Sequence, residues 1–184
     1  KKKLTRISRI ISTIRNSIIM AIDKDSLISD LQSKYGNAIQ NIEEQYGLLS
    51  FHTNKDQIIP ILTYLNENET YRFRFLTDLC GVHYADEKQL AVVYHVHSME
   101  NDFRLRIKVF LPESNPKIPT ACKLYRSANW QERETYDFFG IIFDGHPGLT
   151  RILMPDDWQG HPQRKDYALG GIPVEYKGAI IPAP

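Results

Sequence analysis

The sequence is poor in cysteine, with only Cys80 and Cys122 in 184 residues. That excludes the disulfide scaffold of a small secreted domain, which a chain of this length does not need. Two thiols also cannot by themselves ligate an iron–sulfur cluster, which usually takes about four. Reduced, buried thiols of a cytosolic-type compartment are the expectation. No run of 18 or more apolar residues is present, so any membrane link is expected to go through a partner or an amphipathic surface. Charge of one sign is missing too: the formal net charge is +1, and no global field recruits nucleic acid. There is no glycine-rich phosphate loop, no Gly-x-Ser-x-Gly elbow, no Cys-x-x-Cys and no internal repeat.

What is there suits a soluble globular chain. Apolar residues make up 42% and charged residues 24%, and ten Tyr, eight Phe and two Trp can supply a core. The first stretch, residues 1–19, stands apart. Lys1, Lys2, Lys3, Arg6, Arg9 and Arg15 are basic, no acid precedes Asp23, and Leu4, Ile7, Ile11, Ile14 and Ile18 fall on one helical stripe. It reads as a membrane-surface helix, a transit-like presequence, or a non-native extension before a true start at Met20.

From residue 20 onward the chain predicts alternating elements. Asp25 or Ser26 caps a helix bearing Leu27, Ile28, Leu31 and Tyr35 and stopped by Gly36. A strand follows near Leu48–Thr53. Asn54 then caps a second helix with Ile58, Ile59, Ile61, Leu62 and Leu65 inward, and Pro60 demands a late start or a kink. Residues Arg72–Leu76 read as a strand with Phe73 and Phe75 on one face. Gln89–His97 and Phe103–Leu111 read as an antiparallel hairpin with one wet face. Thr120 opens a third helix running to about Phe139. The fold class expected is α+β: a mostly antiparallel sheet with helices packed on one face. An extended Gly/Pro-rich C-terminal tail follows, so the chain divides into 20–139 and 140–184.

The densest signal lies between residues 132 and 167. It starts with Glu132, Arg133, Glu134, Asp137, Phe138 and Gly140, the end of a helix and its sharp exit. Arg133 and Asp137 are four apart and are expected to pair. Gly-His-Pro occurs twice, as Gly145-His146-Pro147 and as Gly160-His161-Pro162. Each is a shape-setting corner, and the two bracket Arg151, Asp157 and Trp158 before Arg164, Lys165, Asp166 and Tyr167. Apolar residues in a segment that cannot bury itself predict a strip lying on another chain.

Other readings stay open. His146 and His161 with nearby acids suggest a metal or acid–base site, but they are fifteen residues apart, without His-x-x-x-His spacing. His95 and His97 share a strand face and, with His83 and Cys80, form a second candidate metal set, for an independent metalloenzyme. Arg72, Arg74, Arg104, Arg106 and Lys108 suggest nucleic acid, or more simply a solvated sheet face.

The run from Glu132 to Asp166 resembles the NuoC-type, 30-kilodalton-class subunit of proton-pumping NADH:quinone oxidoreductase, respiratory complex I. A weaker resemblance extends back to about Met20. It departs from the family at Thr150, Gln163 and Ala168, where a basic residue, a Leu and a Pro are more usual. The resemblance implies an α+β domain followed by a stretch that wraps a larger partner. It implies a non-catalytic subunit of a translocase with no cofactor of its own; FMN, iron–sulfur clusters and quinone belong to partner subunits. The implied partners are the large 49 kDa-type subunit (NuoD) and the small cluster-bearing subunit (NuoB), on the cytoplasmic face of a bacterial inner membrane. An equivalent subunit of a ferredoxin-linked dehydrogenase or a membrane hydrogenase is the alternative.

Overall fold

A computed structural model describes residues 22–168. The basic stretch 1–19, the start at Met20 and the end of the tail after Ala168 lie outside the described residues. The elements are α1 (Lys24–Tyr35), β1 (Gln40–Gln45), β2 (Leu48–Thr53), α2 (Ile58–Glu67), β3 (Phe75–Tyr84), β4 (Gln89–Ser98), β5 (Phe103–Pro112), β6 (Lys117–Pro119), α3 (Ala128–Phe139) and β7 (Ile142–Asp144). A five-stranded sheet runs β1-β2-β5-β4-β3. Only β2–β5 is parallel in it. A second, two-stranded parallel pair joins β6 to β7. The class is α+β with a mostly antiparallel sheet, as the alternation of segments predicts. None of the described helices is long and apolar enough to cross a membrane.

The core lies on one face of the large sheet. Leu27 and Leu31 of α1 and Ile58, Ile61, Leu62 and Leu65 of α2 cluster with Leu90, Val92, Tyr94 and Val96 of β4 and Leu105, Ile107, Val109 and Leu111 of β5. The β4–β5 hairpin has the expected register, Gln89 opposite Pro112 through Ser98 opposite Phe103. On β5 the alternation works because every second residue is aliphatic and faces the helices. Helix α3 covers the same face over edge strand β3. There Gly81 lies opposite Val92, and the Phe139 ring fills the space a side chain would take. Ser127 and Gln131 donate to the carbonyls of Leu76 and Thr77, where a bulge interrupts β3. This also blunts an open sheet edge.

Several boundaries differ from the sequence expectation, each for a local reason. The cap of α1 is Asp23, whose carboxylate accepts the Ser26 N–H at 3.1 Å. Gly36, at φ 52, ends that helix as expected. Asn54 does not cap α2; its carbonyl holds a turn, and the helix starts at Ile58. Pro60 thus falls in the first turn, where its missing N–H costs nothing. Residues Arg72–Leu76 are not a strand throughout. Arg72 adopts φ 49 and pairs with Glu69 and Glu100, so Phe73 is buried while Phe75 is 48% exposed. Helix α3 begins at Ala128 rather than Thr120, because Thr120 and Ala121 are drawn into bonds to Glu132. Strand β1 was not expected; it is a polar edge, nearly all exposed, with no apolar alternation to see.

The Gly81–Phe139 contact makes a direct prediction. A Cβ at position 81 would stand 2.5 Å from the Phe139 ring. Gly81→Ala is expected to cost about 1–3 kcal/mol by overpacking, read as a lower urea midpoint. Adding Phe139→Ala should recover part of that cost, and strictly additive losses would contradict the contact.

Candidate functional site: a carboxylate clasp at the end of α3

Asp137 occupies the last turn of α3 and is fully buried. Its Oδ2 accepts the backbone N–H groups of Ile152 at 3.1 Å and of Leu153 and Met154 at 2.8 Å each. Its Oδ1 takes the Arg151 guanidinium at 2.6 Å. Burial alone would raise this carboxyl, but the N–H groups of Met154, Leu153 and Ile152 and the Arg151 side chain outweigh it and hold it at about 2. Arg151 also donates to the carbonyls of Asp137, Trp158 and Gly160.

The expected Arg133–Asp137 pair does not form. Arg133 donates instead to the Thr150 and Arg151 carbonyls at 3.2 and 3.0 Å. The incoming loop supplies N–H groups and a cation to the acid, and carbonyls to the base. That combination outweighs a helix-surface pair worth about 0.2–0.5 kcal/mol.

Gly140 is required twice over. It closes α3 at φ 74, and a Cβ there would stand 2.5 Å from the His161 ring. His161 donates from Nδ1 to the Asp137 carbonyl at 3.0 Å and lies edge-on to Tyr136. Gln163 N–H reaches the Phe138 carbonyl, so the Pro162 corner lies along the helix end. Tyr167 bonds back to the Gln159 carbonyl. Asp157 is exposed and Trp158 half-buried. Glu134, also exposed, and Phe138 border a shallow recess with Asp78, Cys80 and Gln163.

Glu132, one turn earlier, makes a second tie. It is fully buried and accepts the Thr120 hydroxyl at 2.5 Å and the Ala121 N–H at 2.7 Å. Burial raises its pKa, partly offset by those bonds. The exposed corner at Gly145 and Pro147 is pinned by His146, whose Nε2 donates to the Asn129 carbonyl. A third tie ends the segment. Buried His83 accepts the Lys165 N–H at 2.9 Å, and Arg164 bonds Glu113 at 2.5 Å and lies 3.4 Å from Asp166.

Among the described residues, two groups have the proximity of metal ligands, Cys122–Glu132–His146 and His83–Glu113–Asp166. In both, the histidine Nδ1 lone pair accepts a backbone N–H, from Gly148 and from Lys165. The bonding pattern therefore puts the proton on Nε2 and leaves no free lone pair. Arg164 further supplies the positive charge beside Glu113 and Asp166. The set of Cys80, His83, His95 and His97 is not assembled. His83 lies on the core face, with Leu90, while Cys80, His95 and His97 lie on the other face. There His95 takes the Arg106 Nε–H, and burial followed by that cation lowers its pKa. Arg72 and Arg74 are engaged by Glu69 and Glu100.

The sequence alone assigns no site role to Trp130, Thr120 or Glu113. Trp130 is 62% exposed, with the Arg133 guanidinium 5.2 Å from its ring centre. Its position three residues before Arg133 was the available signal. Thr120 and Glu113 act over separations that no local pattern reports.

Residues 51–173 match the family described as respiratory-chain NADH dehydrogenase, 30 Kd subunit. The chain is 53% identical to the C subunit of NADH-quinone oxidoreductase from Nocardioides sp., over 75% of its own length and 56% of that protein. It is 47% identical to the protein of the same name from Streptomyces coelicolor, over 89% of this chain and 64% of the relative. It thus spans less than two thirds of either relative. Among solved structures, the trypsin-resistant fragment of Nqo5 superposes with a TM-score of 0.59 at 29% identity, covering 68% of this chain and 98% of the fragment. A chain of the membrane-bound sulfane sulfur reductase, an archaeal respiratory membrane complex, gives 0.68 at 23% identity, covering 80% of this chain and 87% of that one, and shares the fold.

The clasp predicts an acid-sensitive fold. With the Asp137 carboxyl held at about 2, below its ordinary 3.8, the stabilisation is complete above pH 3.8 and is lost as pH falls towards 2. The loss expected from this group is about 2 kcal/mol. Asp137→Asn should remove this component and cost about 3 kcal/mol at neutral pH by stranding Arg151 and the three N–H groups. Urea unfolding at several pH values checks both, and an unchanged acid slope in the variant would refute the assignment.

Proposed function

Because the chain belongs to the family of the respiratory-chain NADH dehydrogenase 30 Kd subunit, we propose that it is a structural subunit of the peripheral arm of a proton-pumping NADH:quinone oxidoreductase. On this reading it has no cofactor of its own, and electrons pass from NADH through FMN and iron–sulfur clusters of partner subunits to quinone. Its partners are the 49 kDa-type subunit (NuoD) and the small cluster-bearing subunit (NuoB). It reaches the cytoplasmic face of the inner membrane through them. On this reading residues 20–139 are the body, and 140–184, tied back to it at its start by β7, carries the surface offered to the partner.

The observation that carries this reading is how the motif's charged groups are used. Asp137 and Arg133 bond loop backbone, and Arg151 bonds Asp137 and two loop carbonyls, fixing the path of residues 150–160. This gives a rigid shape rather than a poised nucleophile or base. The shared fold with a chain of an archaeal respiratory membrane complex keeps a related complex with another electron donor as the second reading.

Affinity isolation of the tagged full chain from membranes, with mass spectrometry of what accompanies it, tests the proposal. The other peripheral-arm subunits and NADH:quinone activity are expected to co-isolate. Arg151→Ala is expected to lower the assembled complex about tenfold or more while the remaining complex keeps its turnover per flavin. Full assembly with lost turnover would instead favour a catalytic role. Isolation as a lone chain would end the proposal, and co-isolation with a different donor-binding subunit would favour the second reading.

A further inference from the structure

The clasp has an outer side. The three successive N–H groups of Ile152, Leu153 and Met154 converge on one carboxylate oxygen, so the backbone faces inward at this tip. Leu153 is left 56% exposed. Trp130, 62% exposed, lies one helical turn before Arg133 on the same side of α3. Arg133 joins the two features: it stacks on the Trp130 ring and donates to the carbonyls of Thr150 and Arg151, next to the tip. Arg151 and Arg164 each meet a carboxylate. Arg133 meets none within bonding range among the described residues, so its charge is uncompensated where two large apolar side chains stand in solvent.

Resting on the complex-subunit reading above, we propose that Trp130, Arg133 and Leu153 form a docking surface for a neighbouring subunit of the same complex, one presenting a carboxylate beside an apolar socket. Charge decides the partner's chemistry. Covering Trp130 and Leu153 also desolvates Arg133, and a buried unpaired guanidinium is costly, so the covering surface must bring an acid. Trp and Arg are the side chains that carry most of the energy at such surfaces. Arg133 is already held by two backbone carbonyls, so little side-chain freedom is lost on docking. This contact differs from the internal clasp: Asp137 and Arg151 set the shape, whereas Trp130 and Leu153 touch the partner.

The test uses the tagged full chain in membranes, with Leu153→Asp, Trp130→Ala and a photo-crosslinking benzoylphenylalanine at position 130. Both substitutions are on exposed side chains, so urea midpoints should match wild type. Leu153→Asp is expected to reduce co-isolated subunits at least tenfold, and Trp130→Ala by a similar factor. The crosslinker is expected to capture a different subunit at a peptide containing Asp or Glu. Normal co-isolation of both variants would overturn the inference and leave the subunit reading standing. So would crosslinks confined to a second copy of this chain, or to residues 169–184 of the same chain. If the wild-type chain brings down no respiratory subunit, both readings fall together.

Discussion

The loop from Arg151 to Gly160 takes its course from one buried carboxylate. Asp137 loses hydration on burial and regains more through four donors, three of them backbone N–H groups. A hydrogen bond to a charged group contributes about 1.5–3 kcal/mol net, so the set together offsets the loss of water. No arrangement confined to the helix could do so. A side chain of Arg133 reaching back to Asp137 would bring one cation to a solvent-facing pair and would leave three loop N–H groups unbonded. The loop folds onto the helix because it carries the donors the acid lacks.

Two acids on the same helix show how the environment sets the outcome. Glu132 and Asp137 are both fully buried. Glu132 receives a hydroxyl, one N–H and a weak thiol contact, with no bonded cation, so burial prevails and its pKa rises. Asp137 receives Arg151 and three N–H groups, and its pKa falls. Each carboxylate fastens a different stretch to the helix, 120–122 in one case and 151–154 in the other. The helix in turn is seated by Phe139 over Gly81 on β3. The dependence thus runs from a missing side chain in a strand, through a helix, to a strap more than sixty residues further along.

Much of this was legible where the physics is local. The β4–β5 hairpin follows from alternation on β5 and the turn residues between the strands. Gly36 and Pro60 punctuate the helices where their backbone preferences require. The motif from Glu132 to Tyr167 was visible as a helix end followed by proline corners. What was hidden depends on groups brought together by the fold. Spacing along a helix reports that Arg133 and Asp137 are neighbours; it cannot report that a loop offers each a better partner. Phe73 and Phe75 alternate like a strand, yet the left-handed Arg72 turns them to different surroundings. Polar β1 carries no apolar pattern at all. The bond from Lys165 to His83 joins residues 82 apart in the chain.

A dense group of Arg, Asp, Glu and His looks like a reaction centre until each proton and lone pair is assigned. His146 and His83 accept backbone N–H groups at Nδ1, and His161 donates from Nδ1 to a carbonyl. Arg133 and Arg151 donate to carbonyls, and Asp137 accepts N–H groups. Groups so engaged are poor acids, bases and ligands, because reacting would first require giving up a structural bond. The same engagement has a geometric consequence. At the tip of the loop the three inward-facing N–H groups leave Leu153 56% exposed, while Ile152, Met154 and Trp158 stay half-buried. On the docking surface proposed above, a covering partner takes Leu153 and Trp130 out of water, and the guanidinium of Arg133 requires that partner to bring an acid.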